Sequence, residues 1–572
     1  MCSLYFLRSF FVILSFFPIF SYSQLSGNYT IGGTSPSYPT LNAAVTDLMA
    51  NGVSGPVSFK IRTGVYTEQI LIPGSVSGAS SVNLITFQSE SGDSTDVTIQ
   101  FNGVVCNLDS YVRLKSLTLT TTSNVMSTVI EAFFTPMLRI ENCVVNAPNA
   151  LSGYIINGTP DNILISFTDV NASSAADQVV ISCLTMEMSN CNVSCSLRVD
   201  ADSALINGNN LLGTIDLNCY KAGCLDNSHT GGVIDAITVV YNNNISGSLD
   251  VFANKLHGSG NIVNGIMDFF SVDTILLSGN YIRKLMLFSA NGRDTIQGNT
   301  IDTVDIRTQF LFFEKNLADI GDFNYIQELY FHRNKIREVS FNYIDHIRIR
   351  NNYISEYFNM GYVDSTADIF HNNITAGVPN IIFGFNIPVV KLFNNNLLSP
   401  TFINMGTIFN RDYNNYWLTP GSEPNSINVD PQYISPQDIH AQNPGLIGTG
   451  LFIPSVGIDI DSNLRPNPPT IGANELNILT GFPVKSKPIE MVIYPNPSDD
   501  ECVRLSCNKR ILFNEKLFFE IADISGRVIQ LIPAGGNNSS SSLCEKFAPG
   551  IYLVILRSES TVFDQQRLVR LK

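Results

Sequence analysis

Through the middle of the chain, apolar and polar residues alternate in short bursts, and each burst closes on an asparagine. The stretches VDTILLSGNYI, IQELYFHRNKI and IDHIRIRNNYI share the phrase apolar-x-x-apolar-x-apolar-x-x-Asn-x-Ile. A period of two marks a half-buried strand, and the asparagine marks the bend that follows it. The best copies place Asn280, Asn299, Asn316, Asn334 and Asn352 at separations of 19, 17, 18 and 18 residues. Looser relatives stand at Asn209, Asn243 and Asn261 before them and at Asn373 and Asn395 after them. Repetition at a short, nearly fixed period predicts a solenoid of stacked rungs. Asparagines at equivalent bends can then bond amide to amide, forming a ladder.

The N-terminal part is patterned differently. A short strand and a turn lead to an amphipathic helix beginning near Thr40, with Leu41, Ala44, Val45 and Leu48 on one face. An alternating strand follows (Val57, Phe59, Ile61), then Gly64 to Glu68 and a second strand with Ile70 and Ile72. A helix in this place covers the open end of a stacked sheet, whose backbone groups would otherwise be unpaired. The Tyr-x-Thr-Leu-x-x-Ala-Val and Gly-x-Tyr-x-Glu-x-Ile phrases resemble the N-terminus of pectinesterases and other right-handed β-helix, pectin-lyase-like proteins. That resemblance implies a fold. It does not carry activity, because the paired Asp, Gln and Arg of pectinesterases have no placeable counterpart here.

Residues 430–475 close the body. They contain Asp-Pro, an Asp-x-His segment, Asp-x-Asp-x-x-x-Arg-Pro and Ile-Gly-Ala-x-Glu, and they resemble the terminal block of many exported bacterial β-helix proteins. The block departs from that pattern at Asn443-Pro444-Gly445 and at Ser462. A leucine-rich-repeat solenoid is the rival architecture, since it shares the repeat phrase. The spacing of 17–19 is shorter than the usual 20–29 of that repeat, and the drift near Asn373 and Asn395 suits β-helix turns of variable length.

Residues 477–488 read as a linker. The segment 489–572 reads as a small separate β domain. It carries Pro495-Asn496-Pro497, then Asp523, Gly526 and Arg527 in a hairpin phrase, then Gly550 and Tyr552 opening an alternating strand. These pieces, in this order, closely resemble the C-terminal sorting domain of the type IX secretion system of Bacteroidota. The resemblance implies handling by that machinery and a location outside the cell or attached to the outer-membrane surface. The expected fold class is therefore all-β: a right-handed parallel β-helix solenoid over 24–476, with cap and first rungs at 24–102, then a small C-terminal β-sandwich.

Export is also written at the other end. Arg8, the apolar run Phe10 to Phe20 and Ser21-Tyr22-Ser23 read as a signal peptide over 1–23, too short in its apolar part to span a bilayer. No later stretch is apolar enough for a transmembrane segment. The net charge is -15 over 572 residues; the segment 485–572 has 12 basic and 10 acidic residues, which leaves the body strongly acidic. Such a field repels phosphate backbones and excludes nucleic acid as a partner. Of the eleven cysteines, Cys183, Cys191, Cys195, Cys219 and Cys224 cluster. Without tight CxxC pairs or histidine partners they suggest buried thiols or one or two local disulfides rather than zinc.

Reading outward positions from the repeat register gives a strip: Leu276/Ser278, Thr295/Gln297, Phe312/Glu314, Tyr330/His332 and Arg348/Arg350. Aromatic faces stack on sugars and arginine grips carboxylates, so Phe312, Glu314, Tyr330, His332, Arg348 and Arg350 are the candidate ligand-binding residues. Glycoside cleavage needs paired carboxylates, and Glu314 has no acidic partner at equivalent positions. Asp302, Asp305, Asp319 and Asp322 are either turn formers or oxygen ligands for Ca²⁺; no other cofactor is indicated. The six histidines are dispersed, and His346 and Asp345, being adjacent on a strand, point to opposite faces. No nucleophile-elbow, zincin or P-loop motif is present. Three functions remain open: binding of polysaccharide or another extracellular ligand, a polysaccharide lyase or hydrolase, and a structural or adhesive surface protein.

Overall fold

The computed structural model describes residues 23–476 except 126, 149–152, 174–176, 271–272, 290–291, 376–380, 384–386, 399, 403–407 and 420. Beyond them it describes 491–494, 503–507, 518–523, 528–533, 540–543, 548, 550–557 and 562–570. All but the last residue of the expected signal peptide, and the whole expected linker, lie outside these residues.

The chain divides into two units, 1–476 and 477–572. The first is a parallel β-solenoid of about 15 turns. Each early rung has three strands, and each strand pairs with the one three places on: Ile85–Ser89 with Tyr111–Lys115, Val97–Phe101 with Thr118–Thr121, and Cys106–Leu108 with Ile130–Ala132. Three faces result, called here the first, second and third. In later rungs the strands run through the corners, as in Leu317–His332 and Lys335–Arg350. Register partners on the first face lie 23–28 residues apart from Val57 to Met186, then 17–20 apart as far as Ala367.

Alternation places one side chain of every pair inside. Ile275, Leu277, Leu311, Phe313, Leu329, Phe331, Ile347 and Ile349 are all buried. Inside, equivalent residues stack, with Phe313 and Phe331 centroids 5.4 Å apart and Phe323 and Phe341 5.5 Å apart. The opening helix, Leu41–Asn51, buries Leu41, Ala44, Val45 and Leu48, and the Thr40 hydroxyl caps it by accepting from the Ala43 N–H at 3.1 Å.

The asparagine ladder occupies the corner between the first and second faces. Asn334 donates its amide to Asn352 Oδ1 (3.1 Å) and to the Phe313 carbonyl (2.8 Å), while its own Oδ1 accepts from the Asn316 backbone N–H (3.0 Å) and amide (3.2 Å). The pattern starts at Asn209 and runs to Asn414. It includes Asn227, which stands 18 residues after Asn209 and 16 before Asn243 and follows the weakly apolar run Ala222-Gly223-Cys224. One expected position shifts by a residue. Asn372, not Asn373, continues the ladder, and Asn373 begins a second, shorter one with Asn396 and Asn415.

The residue before every ladder asparagine except Asn243 turns the corner with positive φ. Early corners use Gly208, Gly260, Gly279 and Gly298; later ones use Lys315, Arg333, Asn351, His371 and Asn394. Side chains in this conformation are strained, so something must hold them there. At Arg333, Asn351, His371 and Asn394 the partner is the terminal block.

In the earliest rungs the ladder position is filled by other residues, including Cys143 and Cys191, whose thiols meet the Glu141 and Ser189 carbonyls. The seven cysteines of the solenoid are free. Cys183 and Cys219 are separated by Ala201 in register, two rung spacings or about 10 Å, beyond disulfide reach. Burial pushes their thiols up to about 12 and about 11.

The second unit has an antiparallel sheet of three strands (Met491–Tyr494, Val503–Cys507, Ser540–Leu543) and one of four (Phe518–Asp523, Val528–Pro533, Gly550–Arg557, Val562–Arg570). Met491, Ile493, Val503 and Leu505 from one meet Phe519, Ile521, Val554 and Leu568 from the other in a single apolar core. Tyr552 is buried, and its hydroxyl donates to the Ala548 carbonyl at 2.6 Å. Asp523 ends its strand and Gly550 begins another. Pro495, Asn496, Pro497, Gly526 and Arg527 lie outside the described residues.

Candidate functional site

The expected strip lies on the first face. Leu276, Thr295, Phe312, Tyr330 and Arg348 form one outward row, and Ser278, Gln297, Glu314, His332 and Arg350 form the next. The rows behave differently. In the first, the Phe312 and Tyr330 rings stack at 4.4 Å, and the Arg348 guanidinium covers the other side of Tyr330 at 4.5 Å. Both faces of Tyr330 are therefore occupied by rung neighbours, and only ring edges meet solvent. Glu328 ties the row down, accepting from Tyr330 Oη at 3.2 Å and lying 3.4 Å from Arg348.

The second row is sealed rather than open. Glu314 is paired with Arg333, whose Nε donates at 2.9 Å. Burial, and then the charges of Arg350, Arg333 and Arg348, push the His332 imidazole down to about 3, so it is neutral. Arg350 donates to the Ser455 carbonyl at 3.1 Å and lies 5.6 Å from the Phe370 ring. The residues in register with Glu314 are Gln297 and His332, so adjacent rungs supply no second carboxylate at that position.

The Asp302, Asp305, Asp319 and Asp322 side chains fall in two separate places. Asp305 and Asp322 pair in register on the third face, while Asp302 and Asp319 line the second. Among the described residues, no group of three or more His, Cys, Asp or Glu is placed to hold a metal ion.

The terminal block explains why the second row is covered. Its recurrent residues fold into a buried polar knot. Arg465 pairs with Glu475, and donates to Asn351 Oδ1 (2.7 Å) and to the Gly472 and Ala473 carbonyls (both 3.0 Å). Asp459 accepts from the N–H groups of Asp461 (2.9 Å), Asn463 (2.7 Å) and Glu475 (2.8 Å). The knot grips the corners: Arg333 meets Ser462 (3.2 Å), Asn351 the Ile458 carbonyl (2.7 Å), and Asn394 both the carbonyl and the N–H of Leu451 (2.7 Å each). His371 is neutral, since burial and then Arg465 hold it well below its ordinary range; Nδ1 faces the Gly472 carbonyl at 3.3 Å. Gly472 has φ of 107°, and a Cβ there would stand 2.2 Å from Asn396 Nδ2.

On its other side the block overhangs the second face and leaves a groove of about 960 Å³. One row of its floor is Thr300, Leu317, Lys335 and Tyr353, in register across four rungs; Asp302, Asp319, Arg337 and Ser355 form the next. The facing wall is Gln432 to Gln437; Trp417, the chain's one tryptophan, ends the second-face strand Asn415–Trp417, and its ring lies edge-on to Tyr433 at 6.3 Å. The wall is fixed by Asn373, whose amide donates to the Ile439 carbonyl at 2.7 Å, and by His440, which sits between Asp438 and Asp461 (2.9 Å) and packs edge-on against Tyr353 at 4.9 Å. Burial opposes charge on His440, but its bonds to Asp461 and Asp438 prevail and raise it above the ordinary histidine range.

The strip positions precede each asparagine, whereas the groove lies after it. The residues one and three places after the asparagine, such as Lys335 and Arg337 after Asn334, face outward on the second face. Trp417 holds the same place three after Asn414. Nothing in the repeat points to Tyr433, which joins only when the terminal block folds back.

A family model, the secretion system C-terminal sorting domain, matches residues 492–570. No curated protein and no solved structure matches the chain. The tail thus marks the protein for type IX export to the cell surface or beyond. Among the described residues, no helix is long and apolar enough to cross a membrane.

Proposed function

We propose that the exported body is a polysaccharide-binding protein that holds an extended sugar chain, uncleaved, in the groove between the second face and the terminal block. The observation that carries this reading is the groove's composition. Trp417 from the second face and Tyr433 from the terminal block line it together with polar side chains that recur rung by rung. Rungs repeat about every 4.8 Å, which gives a linear polymer a series of equivalent contacts. Its volume of about 960 Å³ suits several sugar units, and aromatic rings with a few convergent polar groups are what such sites use. The binding reading is favoured over cleavage because Asp319 and Glu356, the acids nearest the centre of the floor, are both bound to Arg337.

The Phe312, Tyr330 and Arg348 row adds less, since it offers ring edges to a sugar. Trp417 makes the test direct, because the chain's one indole reports on the groove without a label. The mature protein is titrated with soluble oligosaccharides while tryptophan fluorescence is followed. A saturable change is expected, weakened by Tyr433→Ala and Lys335→Ala and kept by Tyr330→Ala. A panel of oligosaccharides that leaves the fluorescence unchanged sinks the reading.

A further inference from the structure

The groove's two cations differ in what they can offer a ligand. Arg337 has four of its five N–H donors engaged. Its Nε and Nη2 go to Asp319 (2.5 and 3.2 Å), and Nη1 goes to Glu356 (2.7 Å) and to Glu338. A guanidinium carries five N–H donors in a fixed fork, and here carboxylates of this chain take that fork from both sides. Lys335 is a single ammonium lying 5.2 Å over the Tyr353 ring. Against these two, Asp302, Asp319, Glu356 and Asp430 line the same groove, a balance of four acids to two bases. The surrounding body is strongly acidic as well, so the field outside has the same sign as the field within.

We infer, building on the proposed function, that the groove selects a non-acidic glycan, uncharged or amine-bearing, and turns away polymers of uronic acids. An incoming carboxylate would lose its hydration, find Arg337 already engaged and enter a groove whose four acids outnumber its two bases. A hydroxyl-rich neutral chain meets no such penalty. An amine-bearing chain gains from the same acids, in a way that salt weakens. Arginine is the residue best built to clasp carboxylates. Its neutralisation by this chain's own Asp319 and Glu356 is therefore the specific feature that sets the sign of the preference.

The test uses the mature protein and Trp417 fluorescence, with neutral, amino-sugar and uronic oligosaccharides of equal length at low salt. The uronic ligand is expected to bind at least about tenfold more weakly than the neutral one, a ratio that like-charge repulsion at these distances supplies. In Asp319→Asn/Glu356→Gln, Arg337 keeps only Glu338 as a partner and the ratio of uronic to neutral affinity rises. Asp302→Asn, which leaves the Arg337 contacts intact, produces a smaller gain in the same direction. Uronic binding as tight as neutral binding in the unaltered protein overturns the inference. So does a double variant that keeps its melting temperature and shows no uronic gain. Silence from all three ligand classes instead removes the saccharide reading on which this one stands.

Discussion

Asn334→Ala probes the ladder at its middle. The side chain is fully buried, donates two hydrogen bonds and accepts two. Alanine removes all four. The Asn316 backbone N–H, which bonds Asn334 Oδ1 at 3.0 Å in a dry corner, is left without that acceptor. An orphaned buried amide costs about 1–3 kcal/mol, and the other lost bonds add roughly 0.5–1.5 kcal/mol each, so a local destabilisation of about 3–5 kcal/mol is expected. Rungs are stabilised by their nearest neighbours, so the loss is local and a global melt under-reports it. Hydrogen exchange read by mass spectrometry is the suitable assay. Amides of 310–316 and 328–334 are expected to exchange roughly two to three orders of magnitude faster, while Ile85–Ser89 stays unchanged. The exposed Asn254→Ala supplies the comparison. Equal exchange in the two variants would refute the argument that the ladder bonds hold the corner.

His440 is raised by its two carboxylates, so its contribution is fully present below the ordinary histidine pKa and is lost as pH rises through the raised folded value. Proteolytic protection of 430–475 should therefore weaken from neutral toward mildly alkaline pH, and His440→Ala should flatten that dependence. Glu475→Ala strands Arg465 in a buried site, which costs about 3–5 kcal/mol and should release the block while the first rungs keep their exchange protection; an unchanged block would count against the knot. Reductant should leave melting of the body unchanged, because a disulfide would have contributed about 2–4 kcal/mol and the cysteines of the solenoid are free thiols. A reductant-sensitive midpoint would contradict that pairing.

The parts of this fold governed by local chemistry were readable from the chain. The inward set Leu329, Phe331, Ile347 and Ile349 follows from alternation alone, and the helix from Thr40 announces itself by its cap and its apolar stripe. The place of Asn372 was readable too: buried Ala367 and Ile369 stand five and three places before it and Ile374 two after, the spacing of the repeat phrase, which Asn373 does not have. The groove was less legible. Its floor recurs with the repeat, but its wall comes from residues some 80–100 positions away, and no periodicity connects Tyr433 to Tyr353. The strip register was readable, whereas the closing of both Tyr330 faces depends on the size of the neighbours one rung above and below.

The glycine corners have a consequence for how such a body varies in length. Between Asn261 and Asn299, successive rungs join through the same amide contacts, and Gly260, Gly279 and Gly298 hold no part of the terminal block. Excising residues 281–299 would bring Asn280 onto Asn316 with the donors and acceptors it already uses for Asn299. Whole units can be spliced in or out of this stretch without new chemistry at the seam, each changing the reach by about 4.8 Å. Past Arg333 that freedom ends, since every corner there is keyed to a particular partner. The solenoid is thus extensible along its early rungs and fixed at its closing end, and the groove lies at the fixed end.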